Sequence, residues 1–157
     1  MVTQEQIEQL FEYQEGVLYW KVVSGRRIKI GDAAGSTDKQ GYISTSIKGK
    51  AYKIHRLVFL LHYGYLPKVI DHIDGNKQNN SFTNLREVTR FENLQNMRKA
   101  TKANKIGLLG VSAHQGKWRT QIMVNGKRIR ASGFDTPELA HQKYLELKRE
   151  HHLTCTI

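Results

Sequence analysis

Asp71 and His72 stand side by side in a stretch, Val69 to Asn96, that reads VIDHIDGNKQNNSFTNLREVTRFENLQN. Asn84 and Asn93 follow them, with further asparagines at Asn76, Asn79, Asn80 and Asn96. Residues of these types can hydrolyse a phosphodiester. A water must lose a proton, the charge growing on the phosphate must be neutralised, and the leaving oxygen must be stabilised. A neutral histidine titrates near working pH, which suits His72 to the first task. A hard divalent cation held by oxygen ligands suits the other two. Asp71 and Asn93 both offer oxygen, and an amide ligand limits negative charge beside a polyanion. Asn84 can accept the N–H of the His72 ring and so fix its tautomer. Asp-Gly, Asn-Gly and Asn-Asn clusters also simply make turns, and Asn76, Asn79 and Asn80 are assigned that task. Spacing alone leaves a catalytic site and a turn-rich scaffold both open.

The elements that must position these groups can be read along the chain. Thr3 and Gln6 form a capping-box pair for a helix over residues 3–12, with Ile7, Leu10 and Phe11 as its apolar face. Residues 17–22 (VLYWKV), 42–47 and 52–55 alternate as strands, the last two around Lys48-Gly49-Lys50. Arg26, Arg27 and Lys29 lie in a glycine-rich loop and read as a solvated patch, with a phosphate contact as the alternative. Residues 55–63 (HRLVFLLHY) predict a buried helix closed by Gly64, with Pro67 preventing continuation. His55 and His62 are expected to be satisfied core or capping groups. Residues 68–73 then predict a strand with Val69, Asp71 and Ile73 on one face and Ile70 and His72 on the other. A polar loop over 74–84, a strand over 85–88 and a helix from Thr89 complete a strand, loop, strand, helix unit. Phe91, Leu94 and Met97 are expected to pack inward.

The remaining third has its own pattern. Residues 98–107 (RKATKANKIG) are basic and lack an apolar period, so they read as a linker. It either lies along phosphates or is a solvated hinge. Strands are expected over 110–114, 117–124 and 128–133, with turns at Gln115-Gly116 and Asn125-Gly126. A helix follows, capped by Thr136 with Pro137 at its first position. Ala140, Tyr144, Leu147 and His151 form its stripe. The sheet face away from that helix would carry Lys117, Arg119, Gln121, Arg128 and Arg130. Trp118 fits core packing or a sugar contact equally.

The chain has 157 residues, 25 Lys+Arg against 14 Asp+Glu, and a formal net charge of +11. Between Arg86 and Arg130 there are 11 Lys/Arg and 2 Asp/Glu. Such clustering points to a polyanionic partner, double-stranded DNA being the expected one. Cys155 is the only cysteine, so neither an intrachain disulfide nor a zinc site is expected. No signal peptide or membrane span is read in the chain, and an intracellular, cytoplasmic setting is expected.

The stretch 69–96 closely resembles the HNH endonucleases, the ββα-metal nucleases of phages and homing elements. The match is carried by Asp71-His72, Gly75-Asn76, Asn79-Asn80, Asn84-Leu85 and Glu92-Asn93, with upstream Ile54-His55-Arg56-Leu57 and the GYLP of 64–67. It extends over about residues 10–98. The resemblance implies His72 as general base, Asn84 as its positioner, and Asp71 with Asn93 as ligands of Mg²⁺ or Mn²⁺. Many members have histidine where Asn93 stands, and one homing-type subgroup has asparagine. Residues 108–150 resemble the AP2 DNA-binding domain, three antiparallel strands and a helix with the sheet in the major groove. The expected fold is therefore α+β: a small N-terminal sheet and ββα core (residues 1–98, core about 68–98), a basic linker (99–107) and an AP2-like domain (108–157). The expected DNA contacts are Arg98, Lys99, Lys102, Lys105, Lys117, Arg119, Gln121, Arg128 and Arg130. The expected activity is metal-dependent DNA cleavage in a phage-infected bacterial host, by a monomer or a dimer. A DNA-binding regulator without catalysis is the alternative.

Overall fold

The computed structural model describes residues 2–23, 25, 27–97, 100 and 104–152. Arg26, Arg98, Lys99, Lys102 and Cys155, and with them part of the expected linker, lie outside the described residues. The architecture is the expected α+β one, built from four small antiparallel sheets and four α-helices among the described residues. It divides into two compact units, Met1–Thr89 and Arg90–Ile157.

In the first unit, helix α1 (Gln4–Leu10) begins with the expected capping box, Thr3 and Gln6 satisfying each other's backbone N–H. It ends earlier than the sequence predicts. Phe11 opens strand β1 (Phe11–Gln14), which pairs with β2 (Val17–Trp20) in a hairpin the sequence reading missed. The reason is tertiary. Phe11 has the period of the helix, but its ring packs on Trp20 across the hairpin, with centroids 4.3 Å apart. The turn uses Glu15 and Gly16, both with positive φ. Strands β3 (Ser36–Thr37), β4 (Ile43–Ile47) and β5 (Lys50–Lys53) form a second sheet in that order. Helix α2 (Ile54–Tyr63) starts directly after β5 and stops at Gly64, which takes the left-handed conformation at φ 74°. Its apolar face joins Ile7, Phe11, Leu18, Trp20, Ile47 and Leu85 in the core of this unit.

Two polar ties aim the chain from α2 toward the next strand. Arg56 donates to the Pro67 carbonyl, and the Tyr65 hydroxyl donates to Glu87. Strands β6 (Ile70–His72) and β7 (Leu85–Glu87) then pair antiparallel. They are shorter than expected, and a one-turn 3₁₀ helix (Phe82–Asn84) leads into β7. The hydroxyl oxygen of Tyr13 on β1 accepts the Phe82 N–H of this turn at 3.1 Å.

His55 is buried, as expected for a core residue, but its Nδ1 has no hydrogen-bond partner among the described residues. Burial, with the neighbouring His72, Lys53 and Arg56, outweighs Asp38 and pushes its pKa down to about 3. His62 is exposed at the end of α2, where it stacks on Phe82 with centroids 4.4 Å apart.

The second unit holds helix α3 (Arg90–Gln95) and a three-stranded sheet backed by a helix. Phe91, Leu94 and Met97 are exposed rather than packed inward, because a helix of only six residues commits no continuous apolar stripe. Strands β8 (Val111–His114), β9 (Lys117–Val124) and β10 (Lys127–Phe134) order as β10-β9-β8, joined by the predicted Gln115-Gly116 and Asn125-Gly126 turns. Helix α4 (Pro137–His151) is capped by the Thr136 side chain. Ala140, Tyr144 and Leu147 are buried, with Ile122 in the same cluster. No described helix is long and apolar enough to cross a membrane.

Two outcomes test this account. A Cβ at Gly16, where φ is +91°, would lie 2.6 Å from the Ser81 nitrogen and 2.9 Å from the Asn80 carbonyl carbon. Gly16→Ala is expected to cost about 1–3 kcal/mol from backbone conformation alone, seen as a lowered urea midpoint, with the clash adding to it. His55 tests acid sensitivity. Its folded pKa of about 3 lies below the ordinary 6.5, so an unfolded chain binds a proton there that the folded chain refuses. Its stabilising contribution is complete above pH 6.5 and is lost as pH falls toward 3. His55→Gln should flatten the dependence of unfolding free energy on pH between 6 and 4 by about 1.4 kcal/mol per pH unit, read from denaturant titrations across that range.

Candidate active site

Strand alternation decides how the Asp-His pair is presented. Asp71 and His72 are neighbours on β6, so their side chains leave opposite faces. His72 turns into the unit and is 6% exposed. Asp71 faces its cross-strand partner Arg86, whose Nε and Nη2 both donate to Oδ2 at 3.1 and 2.8 Å. The sequence reading gave Arg86 no role. The register supplies one, since residue 71 opposes residue 86 once the loop length is set.

The loop between β6 and β7 is held by its own side chains around Asp74. Asp74 Oδ1 accepts from the Asn76 N–H and from Asn84 Nδ2, and Oδ2 accepts from Asn79 Nδ2. Asn84 Oδ1 accepts the Asp74 N–H in return, and Asn84 Nδ2 also donates to the Asn79 carbonyl. Burial raises the Asp74 pKa, but these donors and the nearby His72 outweigh it and hold the carboxyl below the usual range. Asparagine suits such a loop because one amide donates and accepts at once without adding charge.

This network corrects the role given to Asn84. Its side chain is spent on Asp74 and Asn79, and the ring of His72 is held by Asn80 instead. His72 Nε2 lies 3.1 Å from Asn80 Oδ1. Asn80 Nδ2 donates to the Gln78 carbonyl, which fixes the amide so that its oxygen faces the imidazole. In a neutral ring this contact puts the proton on Nε2 and the lone pair on Nδ1. Asn80, assigned to turn-making from sequence, is 2% exposed and is the residue that fixes the tautomer. A signal was present: two adjacent asparagines placed in alternating directions give one to the loop and one to the interior.

Other rings close around His72. His55 meets it edge to face at 5.1 Å, and Tyr42 lies 6.1 Å from it, centroid to centroid. Burial, then the charges of Asp38 and Asp71, raise the Tyr42 pKa, so its hydroxyl stays protonated. Asp71, His72 and Asn84 thus come together on one strand pair and its loop. Asn93 is on α3, in the second compact unit. Among the described residues no three His, Cys, Asp or Glu side chains gather as a metal cluster.

The basic positions of the second unit share a face. The β9–β10 register sets Gln121 opposite Arg130 and Met123 opposite Arg128, and alternation adds Lys117 and Arg119 to the same side. Gln121, Arg128 and Arg130 are exposed. Lys117 pairs with Asp135 at 2.8 Å, and Arg119 donates to Ser112 Oγ at 3.1 Å. Trp118, Thr120, Ile122 and Val124 take the opposite face, where Ile122 meets Tyr144 and Leu147 of α4. Lys105 is exposed in a turn where Asn104 bonds Ile106 and Leu108.

Comparison with known proteins bears on this site. The family model described as HNH endonuclease matches residues 52–95, which span α2, both strands of the β6–β7 pair and α3. An uncharacterized HNH endonuclease of Acanthamoeba polyphaga mimivirus is 32% identical over 128 residues, 80% of this chain and 62% of that protein. The DNA endonuclease I-HmuI of Bacillus phage SP01 is 39% identical over 84 residues, 49% of this chain and 45% of that protein. Protein 3.8 of Escherichia phage T7 is 36% identical over 107 residues, 66% of this chain and 87% of that protein. A solved structure of the HNH homing endonuclease I-HmuI aligns over 89% of this chain and 85% of that one, at 28% identity and a TM-score of 0.41. The chain thus spans between about half and two thirds of the two endonucleases it matches, and most of the length of the phage T7 protein. Residues 52–95, which include the strand pair that carries Asp71 and His72, are thus the segment of this chain that matches the HNH endonuclease family.

Proposed function

We propose that the protein is a metal-dependent DNA endonuclease in which His72 is the general base. The observation that carries this reading is the tautomer lock: a buried imidazole, beside Asp71 on a strand of the family-matched segment, whose Nε2–H is taken by Asn80. The lone pair left on Nδ1 removes a proton from the attacking water. Asn80 is the positioning residue for the ring. Asn84 acts one step further back, closing the loop on Asp74 so that Asn80 is delivered beneath His72.

Asp71 and Asn93 are the proposed ligands of Mg²⁺ or Mn²⁺. Their oxygen donors fit a hard cation, and Arg86 holds the Asp71 carboxylate in place. When bound, the ion supplies neutralisation of charge developing on the scissile phosphate and its leaving oxygen. Arg86 keeps Asp71 oriented through a two-point contact.

Double-stranded DNA is the proposed substrate. The basic sheet face of residues 117–130, backed by α4, supports reading residues 108–157 as an AP2-like domain set in a DNA groove, with residues 99–107 as the linker. Lys117, Arg119, Gln121, Arg128 and Arg130 would make its contacts, joined by Arg98, Lys99, Lys102 and Lys105 along phosphates. The ion pair of Lys117 with Asp135 would have to be exchanged for phosphate on binding.

The test is incubation of plasmid DNA with Mg²⁺, Mn²⁺ or a chelator, with the ends mapped. Cleavage should need the ion. His72→Ala is expected to lower the cleavage rate by about 10²–10⁴-fold while DNA affinity stays within a few-fold. Undiminished cleavage by that variant refutes the general-base assignment. Asn80→Ala should lower kcat by roughly 10–100-fold with KM little changed, and Asn80→Asp, which keeps the acceptor, should recover part of the loss. An Asn80→Ala enzyme with normal kcat would return the positioning role to another residue.

A further inference from the structure

Two lysines that no sequence motif singled out are held together near His72. The Lys53 ammonium lies 3.8 Å from the centre of the Tyr42 ring, and that of Lys77 lies 4.6 Å from it. Each is also tied to Gln40, Lys53 through the side-chain oxygen at 3.0 Å and Lys77 through the backbone carbonyl at 2.9 Å. The turn that presents Gln40 and Tyr42 is itself fixed. Asp38 accepts from the Gln40 and Tyr42 N–H groups and from the Ser44 hydroxyl. Lys77 comes from the Asp74 loop and Lys53 from the end of β5, so three separate segments converge on one ring.

A counter-charge is present in the Asp38 carboxylate, which feels the charge of Lys53 but makes no ion pair with it. Among the described residues neither lysine forms an ion pair with a carboxylate. Two ammoniums gathered about one aromatic ring repel each other, and a bound anion relieves that. Each keeps N–H donors beyond the one given to Gln40. The Tyr42 face and Gln40 hold both chains in place, which lowers the ordering cost of binding an anion. Lys77 is exposed and Lys53 half-buried, so the pair is reachable from solvent.

Position identifies the anion. Tyr42 and His72 have centroids 6.1 Å apart. Adding that to 3.8 and 4.6 Å, the ammoniums lie no more than about 10 and 11 Å from the centre of the His72 ring. DNA places one phosphate roughly every 3.4 Å of axis along each strand. A strand whose scissile phosphate sits at His72 therefore brings a neighbouring phosphate within reach of both lysines.

We propose that Lys53 and Lys77, held about the Tyr42 ring and by Gln40, form a clamp for a backbone phosphate of duplex DNA next to the phosphate that is cleaved. This rests on the nuclease reading given above. The clamp positions the strand and does not touch the reacting atoms, so it acts on KM and on the salt dependence of binding rather than on kcat.

The experiment measures binding of a random-sequence duplex in chelator across 50 to 300 mM salt, together with cleavage of plasmid DNA in Mg²⁺ or Mn²⁺. Each phosphate contact contributes about 0.9 to the slope of log affinity against log salt. Lys53→Gln with Lys77→Gln should flatten the slope by roughly that amount or up to twice it, with KM raised and kcat within a few-fold. Lys53→Arg with Lys77→Arg, which keeps the charges, should retain most of the slope. Wild-type protein that binds and cuts, with a slope unchanged in the Gln variant, overturns the clamp and leaves the nuclease standing. Wild-type protein that neither binds nor cuts overturns both. A kcat collapse in the Gln variant at an unchanged slope also overturns the clamp, since it would place the lysines in the chemical step.

Discussion

The contact between the His72 ring and the Asn80 amide is the constraint on which the rest of the site depends. For the base proposed at His72, the nitrogen facing the water has to be bare. Here that choice is made by an amide which is itself oriented by the Gln78 carbonyl. The loop exists to hold that amide. Asp74 gathers donors from Asn76, Asn79 and Asn84, and the loop closes on itself without a strand ladder. Backbone turns such as Gly75 N–H to the His72 carbonyl and Asn79 N–H to the Asn76 carbonyl satisfy some of its groups, and side chains satisfy others.

The N-terminal layer makes sense as a support for this loop. Gly16 lets the β1–β2 turn approach the Asn80–Ser81 backbone closer than any side chain would permit. Tyr13 accepts the Phe82 N–H, and the core of the unit packs α2 against both the hairpin and Leu85 of β7. These are hydrophobic and steric devices at a distance from the chemistry, yet they set where the loop can sit. His55 is the cost of that arrangement: an unsatisfied nitrogen sealed beside His72 and kept neutral by burial.

Charge is distributed in keeping with a polyanionic substrate. Asp71 is opposed by Arg86 within a sheet pair, the Tyr42 face carries two ammoniums, and the sheet of the second unit has a basic face opposite its helix. In the second unit, alternation does most of the work. Odd positions of β9 go to one side, while Thr120 and Ile122 go to the other and are buried. Gly110 permits the closest approach there, with the Tyr144 ring occupying the space a Cβ would need.

Much of this was legible from residue order. The capping box at Thr3, the glycine stop at Gly64, the two hairpin turns of the second unit and the Thr136-Pro137 helix start all depend on neighbours a few positions apart. Local sequence therefore determines them. The adjacency of Asp71 and His72 and their opposite directions follow from strand period alone. What local order could not decide was partnership. Phe11 left its helix because Trp20 was waiting across a hairpin. Arg86 met Asp71 because a register closed, and two lysines met on Tyr42 because three segments converged. The tautomer lock is the clearest case. Asn80 and Asn84 are the same residue type in the same loop, and each could accept an N–H. Which of them reaches His72 depends on how the loop closes on Asp74. That is a property of the folded chain, since a side chain's partner is set by direction and distance in space.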